Sequence, residues 1–296
     1  MKFISTLALL LLLSLKGFSQ FHNDDVKKLK DQELLVALMD TTDKKQLEDR
    51  SFNNSLMFAM KNNWTYCKYK FITIDDIKAV AKSDPDTYIL IPQEATIEVQ
   101  RSHGNFSTYH YAHTYNLAIA KASDVKIKKE KNYTNFSVPR ERVILQSMKN
   151  GDDELSVFMS VDDLNYYCAR YGAEKEERKA IDDARRPKDN TLLQKKTLYI
   201  DKAVLAEGVT EADIKENYTY AYKLTTSDEI LQAIKQKKDD VAFLDIAPSG
   251  VSKAGLLFVK SCADLSTILY TDCNVDKGID KKKIKDLVIL ANRTKK

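Results

Sequence analysis

Hydrophobic positions along the chain alternate between short continuous runs and stretches with helical spacing. "ELLVALM" (33–39), "TYILI" (87–91), "TLYIDKAVL" (197–205) and "VAFLDI" (241–246) are predominantly apolar runs, the pattern of strands buried on both faces of a sheet covered by helices. Between them, Phe52, Leu56, Ala59 and Met60 mark one face of a helix, and Ile77, Val80 and Ala81 mark a second. Ile230, Ala233 and Ile234 mark a third. These recur every three or four residues, as a helix face requires.

One phrase occurs twice. "NWTYCKYKFITIDDI" (63–77) and "NYTYAYKLTTSDEI" (217–230) align once a residue is inserted near Lys68. In both, an alternating tyrosine-rich strand runs into a helix start. Thr73 with Asp76, and Thr226 with Glu229, have the spacing at which a hydroxyl satisfies an orphan amide and an acid reaches back to the cap. Each helix ends in a polar break, "KSDPD" or "KQKKDD", and re-enters an apolar strand. This predicts a strand–helix–strand unit used twice.

The flanks extend the parallel. "ATIEVQ" and "YHYAHTYNLAIA" predict strands joined by a loop at 103–108, while "AGLLFVKSC" and "STILYT" predict a hairpin turning at Ala263–Leu265. Leu155, Phe158, Met159, Leu164, Tyr167 and Cys168 suggest a closing helix for the first half, and Ile284, Leu287 and Ile289 one for the second. The expected fold is α/β, with two tandem related units, each a βαβ-based sheet with flanking helices and an added antiparallel hairpin. The units span 21–172 and 194–296, joined by a charged linker or helical extension over 173–193, where Pro187 breaks the helical pattern.

The N terminus changes the expected compartment. Lys2 precedes an almost purely apolar run from Ile4 to Leu15, followed by "KGFSQ", which has the form of a secretory signal over residues 1–20. The run is shorter than the roughly 20 residues that cross a bilayer. No later segment is apolar enough to do so, and the expected location is periplasmic or secreted. Removing Lys2 and Lys16 lowers the formal charge from +4 to +2. Most charge lies in mixed-sign segments such as "AEKEERKAIDDARR", which argues against a nucleic-acid partner, since such binding needs a concentrated basic surface.

Candidate chemistry is sparse. His110 and His113, with His103, invite a metal site, but in an alternating strand the first two point to opposite faces. "GVSKAG" lacks the Gly-x-x-x-x-Gly-Lys-Ser/Thr pattern of a phosphate loop, and there is no Gly-x-Ser-x-Gly turn. Nothing local activates Cys168 as a nucleophile. No catalytic set, metal site or cofactor is assigned. Cys67, Cys168, Cys262 and Cys273 allow three full pairings or stay free as small buried hydrophobes, and their spacing resembles no zinc site. In the expected hairpin Cys273 pairs near Gly255 or Leu256, roughly 20 Å along the strand from Cys262, so that bridge is poor.

The aromatic residues of the repeated phrase leave two readings open. Tyr66 and Tyr69, with Tyr220 and Tyr222, either line a cleft and stack on a ligand or cover the sheet beneath helices. Asp245 stands at the C-terminal end of an apolar strand, where open α/β sheets place ligand groups.

Tyr218 to Pro248, "YTYAYKLTTSDEILQAIKQKKDDVAFLDIAP", resembles a segment of type II periplasmic solute-binding proteins, in which a strand, a capped helix, a polar turn and an aspartate-bearing strand follow one another. The resemblance implies two α/β lobes closing on a small molecule, and places Asp245 where that family has its strand aspartate. The chain departs by having "QKKDD" where a glycine is usual, and by running its units in tandem. Together these features predict an exported binding protein recognising a small molecule or short polymer between two units. The alternative is a structural or interaction component of the bacterial envelope whose partner is another protein.

Overall fold

The computed structural model describes residues 23–39, 47–103, 106–129, 134–139, 142–147, 154–187, 189–248, 254–275 and 277–293. Residues 1–20, expected to be a secretory signal, and "GVSK" (250–253) therefore lie outside the described residues.

After α1 (Asn23–Lys30), the first apolar run forms β1 (Leu34–Ala37), buried at all four positions. Helix α2 (Leu47–Asn63) follows, with Phe52, Leu56, Ala59 and Met60 in the core as their spacing predicts. β2 (Tyr69–Ile72) lies parallel to β1, pairing Leu34 with Tyr69. Thr73 then starts α3 (Ile74–Ser83), where its amide and hydroxyl both donate to Asp76 Oδ2 at 2.8 Å. β3 (Tyr88–His103) returns parallel to β1 and turns into β4 (Phe106–Lys121). These two strands are each continuous over 16 residues, so "TYILI" and "ATIEVQ" belong to one strand. The ribbon β5 (Lys126–Lys129) and β6 (Thr134–Ser137) precedes the short β7 (Leu145–Ser147), which pairs with β4.

Helix α4 (Glu154–Gly172) buries Val157, Phe158, Met159, Ser160, Val161, Leu164 and Cys168. A run of five consecutive buried positions is too broad for a helix covering one sheet. α4 is enclosed because it also meets the second half of the chain. Helix α5 (Lys175–Arg185) occupies much of the expected linker and is pinned back on α4. Asp182 Oδ1 accepts from Arg170 Nε at 2.7 Å and from the Tyr166 hydroxyl at 2.8 Å.

The second half comprises β8 (Thr197–Asp201), α6 (Glu211–Asn217), β9 (Tyr222–Thr225), α7 (Ser227–Lys235), β10 (Val241–Pro248), β11 (Ala254–Ser261), β12 (Thr267–Asn274) and α8 (Lys281–Ala291). Thr226 caps α7 by accepting from Glu229 N. The Glu229 carboxylate does not complete the expected box but bonds the Thr225 hydroxyl and pairs with Lys223. In α8, Ile284, Leu287 and Ala291 are buried, whereas Ile289 is 43 % exposed. Ile289 falls off the i, i+3, i+7 stripe and does not belong to the core face expected for it. β11 and β12 turn at 263–265 and pair Gly255 with Cys273, the register read from the sequence.

The fold is mixed α/β, with two five-stranded mixed sheets flanked by helices. Their strand orders are β2-β1-β3-β4-β7 and β9-β8-β10-β11-β12. In each, the first three strands are parallel and the hairpin strands antiparallel. Right-handed crossovers put the two helices of each βαβαβ segment on opposite faces of the sheet. In the first sheet α2 lies on the face shared with α4. In the second, α7 covers the inner face and α6 and α8 the outer one. The halves meet where α7 packs on α4, so the α2/α4 face of one sheet meets the α7 face of the other. One hydrophobic core runs through this seam, from Phe158 and Val161 to Ile230, Leu231 and Phe243. A separate core beneath α6 and α8 contains Leu198, Leu244 and Leu257.

Candidate functional site

The two sets of tyrosines go to different cores. Tyr66 leaves the loop before β2 and donates its hydroxyl to Val26 O at 2.8 Å, while its ring meets Trp64 edge-on. Burial pushes its phenol well above the usual range. Tyr69 packs edge-on against Phe71, two residues along the strand. In the second half, Tyr218 is fully buried and meets both Tyr220 and Tyr222 edge-on. Tyr220 donates to Asn292 Oδ1 at 2.8 Å and the Tyr222 hydroxyl approaches Glu211 O at 3.5 Å. These two pack on the outer core, beneath α6 and α8. Their phenols hold the segment entering β9 to the end of α8 and the start of α6, and the structure does not bring the two sets of tyrosines together.

Asp245 is placed differently. It shares a face with Phe243 and Tyr199, toward the seam, because strand alternation puts Ala242 and Leu244 on the other side. Register carries one row across three strands on this face: Asp245 in β10, Phe258 in β11 and Tyr270 in β12. Lys260, two residues along β11, pairs its Nζ with Asp245 Oδ2 at 2.9 Å. Both are buried, at 3 % for Lys260 and 8 % for Asp245. Charges taken out of water persist where geometry pairs them.

The first half adds a charged wall. Arg185 of α5 contacts Asp162 Oδ2 at 2.8 Å and Asp163 Oδ1 at 3.5 Å. Its guanidinium stacks on the Tyr166 ring, 4.3 Å from the centroid. Burial pushes the Asp162 carboxyl up, opposed first by Arg185 and then by Lys260. Asp162 pairs with Arg185 and feels Lys260 at longer range, so the charged pairs of the two halves lie near one another at the seam.

Beyond these pairs the row opens to solvent. Tyr270 is 52 % and Leu256 42 % exposed. In the first half, β6 packs over β3 and buries Phe136 and Val138. Among the described residues the second half has no equivalent ribbon, because β11 passes directly into β12. The result is a shelf with an aromatic and aliphatic floor and a charged inner end. Sequence reasoning singled out Asp245 as a candidate but not Lys260, Phe258 and Tyr270, which the sheet register sets in line with it. A lysine two residues from a phenylalanine in an apolar strand was the available signal, and register alone decided what it faced.

Among the described residues, no group of three or more His, Cys, Asp or Glu side chains is arranged to hold a metal, and no helix is long and apolar enough to cross a membrane. His110 and His113 fall in β4, but the candidate metal ligands have side chains outside the described residues. Compared with protein-family models, curated proteins and solved structures, the chain matches none.

Proposed function

We propose that the chain is an exported binding protein that holds a small molecule or short polymer on the shelf at the seam between two halves built on one duplicated plan. The carrying observation is the row Asp245–Phe258–Tyr270, buried and charged at one end and exposed and aromatic at the other. An aromatic face supplies stacking area, and a carboxylate with ammonium and guanidinium groups supplies directional polar contacts. The likeness of Tyr218–Pro248 to solute-binding proteins supports the same end of β10. The continuous core across the seam favours docking on a fixed surface over closure of two lobes. Export rests on the form of residues 1–20, which fractionation of cells expressing the tagged chain tests directly.

Thermal-shift screening with sugars, short oligosaccharides, amino acids and nucleosides tests the site. A ligand at 100 times its Kd adds about 2.7 kcal/mol of stability. Tyr270→Ser should abolish that shift while leaving the unliganded melting temperature nearly unchanged. A ligand whose shift survives Tyr270→Ser binds elsewhere and removes the shelf from the proposal.

A second reading, as an interaction component of the envelope, draws on the β3–β4 ribbon. β1 pairs with β3 at Leu35↔Ile89 and Val36↔Leu90, and β7 pairs with β4 at Leu117–Ile119. From Gln93 to His103 no third strand is paired among the described residues, a length of roughly 35 Å at ~3.3 Å per residue. Two-stranded ribbons are marginal alone, which favours a partner protein. Deleting 95–113 should leave the shelf's ligand shift intact and abolish capture of an envelope partner.

A further inference from the structure

The loop between α2 and β2 lies along one face of α4. Asn165 Oδ1 accepts from Thr65 N at 2.8 Å and from Tyr66 N at 3.0 Å, anchoring the loop to the middle of that helix. Two turns further on, a Cβ added at Gly172 would sit 2.0 Å from the Tyr66 hydroxyl oxygen. Positions 165, 168 and 172 share a helix face, so the Tyr66 side chain spans the turn that carries Cys168. Cys67 is the next residue of the loop and packs against the core that contains Cys168. We infer that Cys67 and Cys168 are a disulfide-forming pair that joins this loop to α4 when the protein is oxidised.

The other pairings conflict with the fold. Cys273 pairs with Gly255 and belongs to the outer core of the second sheet, away from the core that holds the other three cysteines. Cys262 lies past the end of β11, where its amide donates to Val241 O and the charged groups acting on its thiol are Lys196, Lys238 and Asp240. Cys67 and Cys168, by contrast, both act on the Tyr66 phenol, and Cys67 acts on the Cys168 thiol as well. Both thiols are free in this structure, and burial raises them above the ordinary range, the character of a slowly reacting buried thiol and not of a catalytic one.

The chemistry requires a disulfide oxidant, for which oxidised glutathione serves. Cys67, the more accessible thiol, loses its proton and attacks one glutathione sulfur, releasing the other glutathione as thiolate and leaving a mixed disulfide. Cys168 then loses its proton and attacks the Cys67 sulfur, displacing the second glutathione. Two protein thiols and one glutathione disulfide become one protein disulfide and two glutathione thiols. In the cell the oxidant depends on the export proposed above, whereas the pairing does not. Oxidation of purified protein therefore tests the pairing separately from export.

The purified chain, reduced and then incubated with oxidised glutathione, should lose the mass of two hydrogens. Peptide mapping should recover a Cys67–Cys168 cross-link, with Cys262 and Cys273 alkylated after denaturation. Melting temperature should rise on oxidation, fall back with dithiothreitol, and stay unresponsive in Cys67→Ser, a half-buried position where serine is tolerated. A stable glutathione adduct on Cys67, or a cross-link from Cys67 to Cys262 or Cys273, overturns the inference.

Discussion

Leu231 follows Ile230 in α7 as Lys78 follows Ile77 in α3, and the leucine is fully buried while the lysine is exposed. Both helices cover a sheet with their isoleucine, but α7 alone carries a second apolar side, and that side meets α4. This one exchange accounts for why α7 lies at the seam and α3 at an outer surface. Leu231→Lys should cost at least about 3 kcal/mol, the scale of losing a core leucine, whereas Lys78→Leu should stay within about 0.5 kcal/mol. Urea unfolding monitored at Trp64 checks both, and equal effects would show that α7 is not an interior helix.

Lys260 and Asp245 should behave as a unit. Lys260→Met leaves a buried carboxylate without its ammonium and should destabilise by about 3–5 kcal/mol. Replacing both, with Asp245→Leu, should recover most of that loss, since apolar substitutes for a buried pair are often neutral. A double-mutant cycle in urea measures the coupling. An additive result would mean that the two charges are solvated independently.

Gly172 should resist any side chain. Gly172→Ala drives a methyl into the Tyr66 ring and breaks the phenol's bond to Val26 O, for an expected loss of about 1–3 kcal/mol. Tyr66→Phe removes the closest atom, so the alanine should cost less in that background. Circular dichroism melts of the wild type, the two single variants and the double variant test this.

Asp213 links two helices of the second half and makes stability pH-dependent. Its bond to Lys281 on α8, followed by those from Thr210, pushes its pKa down to about 2. A carboxylate whose folded pKa lies below its unfolded value contributes stability above the unfolded value, near pH 4, and loses it as pH falls toward 2. Urea midpoints measured from about pH 5 downward should therefore converge for the wild type and Asp213→Asn. A constant gap between the two would exclude this linkage.

Local pattern settled much of this molecule. Apolar runs such as 34–37 and 241–246 are strands, because four or more consecutive apolar residues need cover on both faces. Thr73 and Thr226 start helices, because the first holds an acid three residues on and the second accepts an orphan amide. The register of the second hairpin followed from chain length between strands, and with it the separation of Cys262 from Cys273. Ile289 was misjudged because its place on the stripe turns on one helical position.

The surroundings of those elements came from tertiary structure. Five consecutive buried positions in α4 look like excess hydrophobicity until a second sheet is found on its far side. The tyrosines of the repeated phrase have equivalent places at and just before their strands, yet Tyr66 packs against α1 and α4 while Tyr220 and Tyr222 pack beneath α6 and α8. Asp245 acquired Lys260, Phe258 and Tyr270 through strand pairing, and the row past it is exposed at Tyr270, where no ribbon among the described residues covers it. Periodicity reports how a segment is buried, since each residue's neighbours along the chain share its helix or strand. What it is buried against depends on contacts between distant segments, which a single sequence does not encode locally.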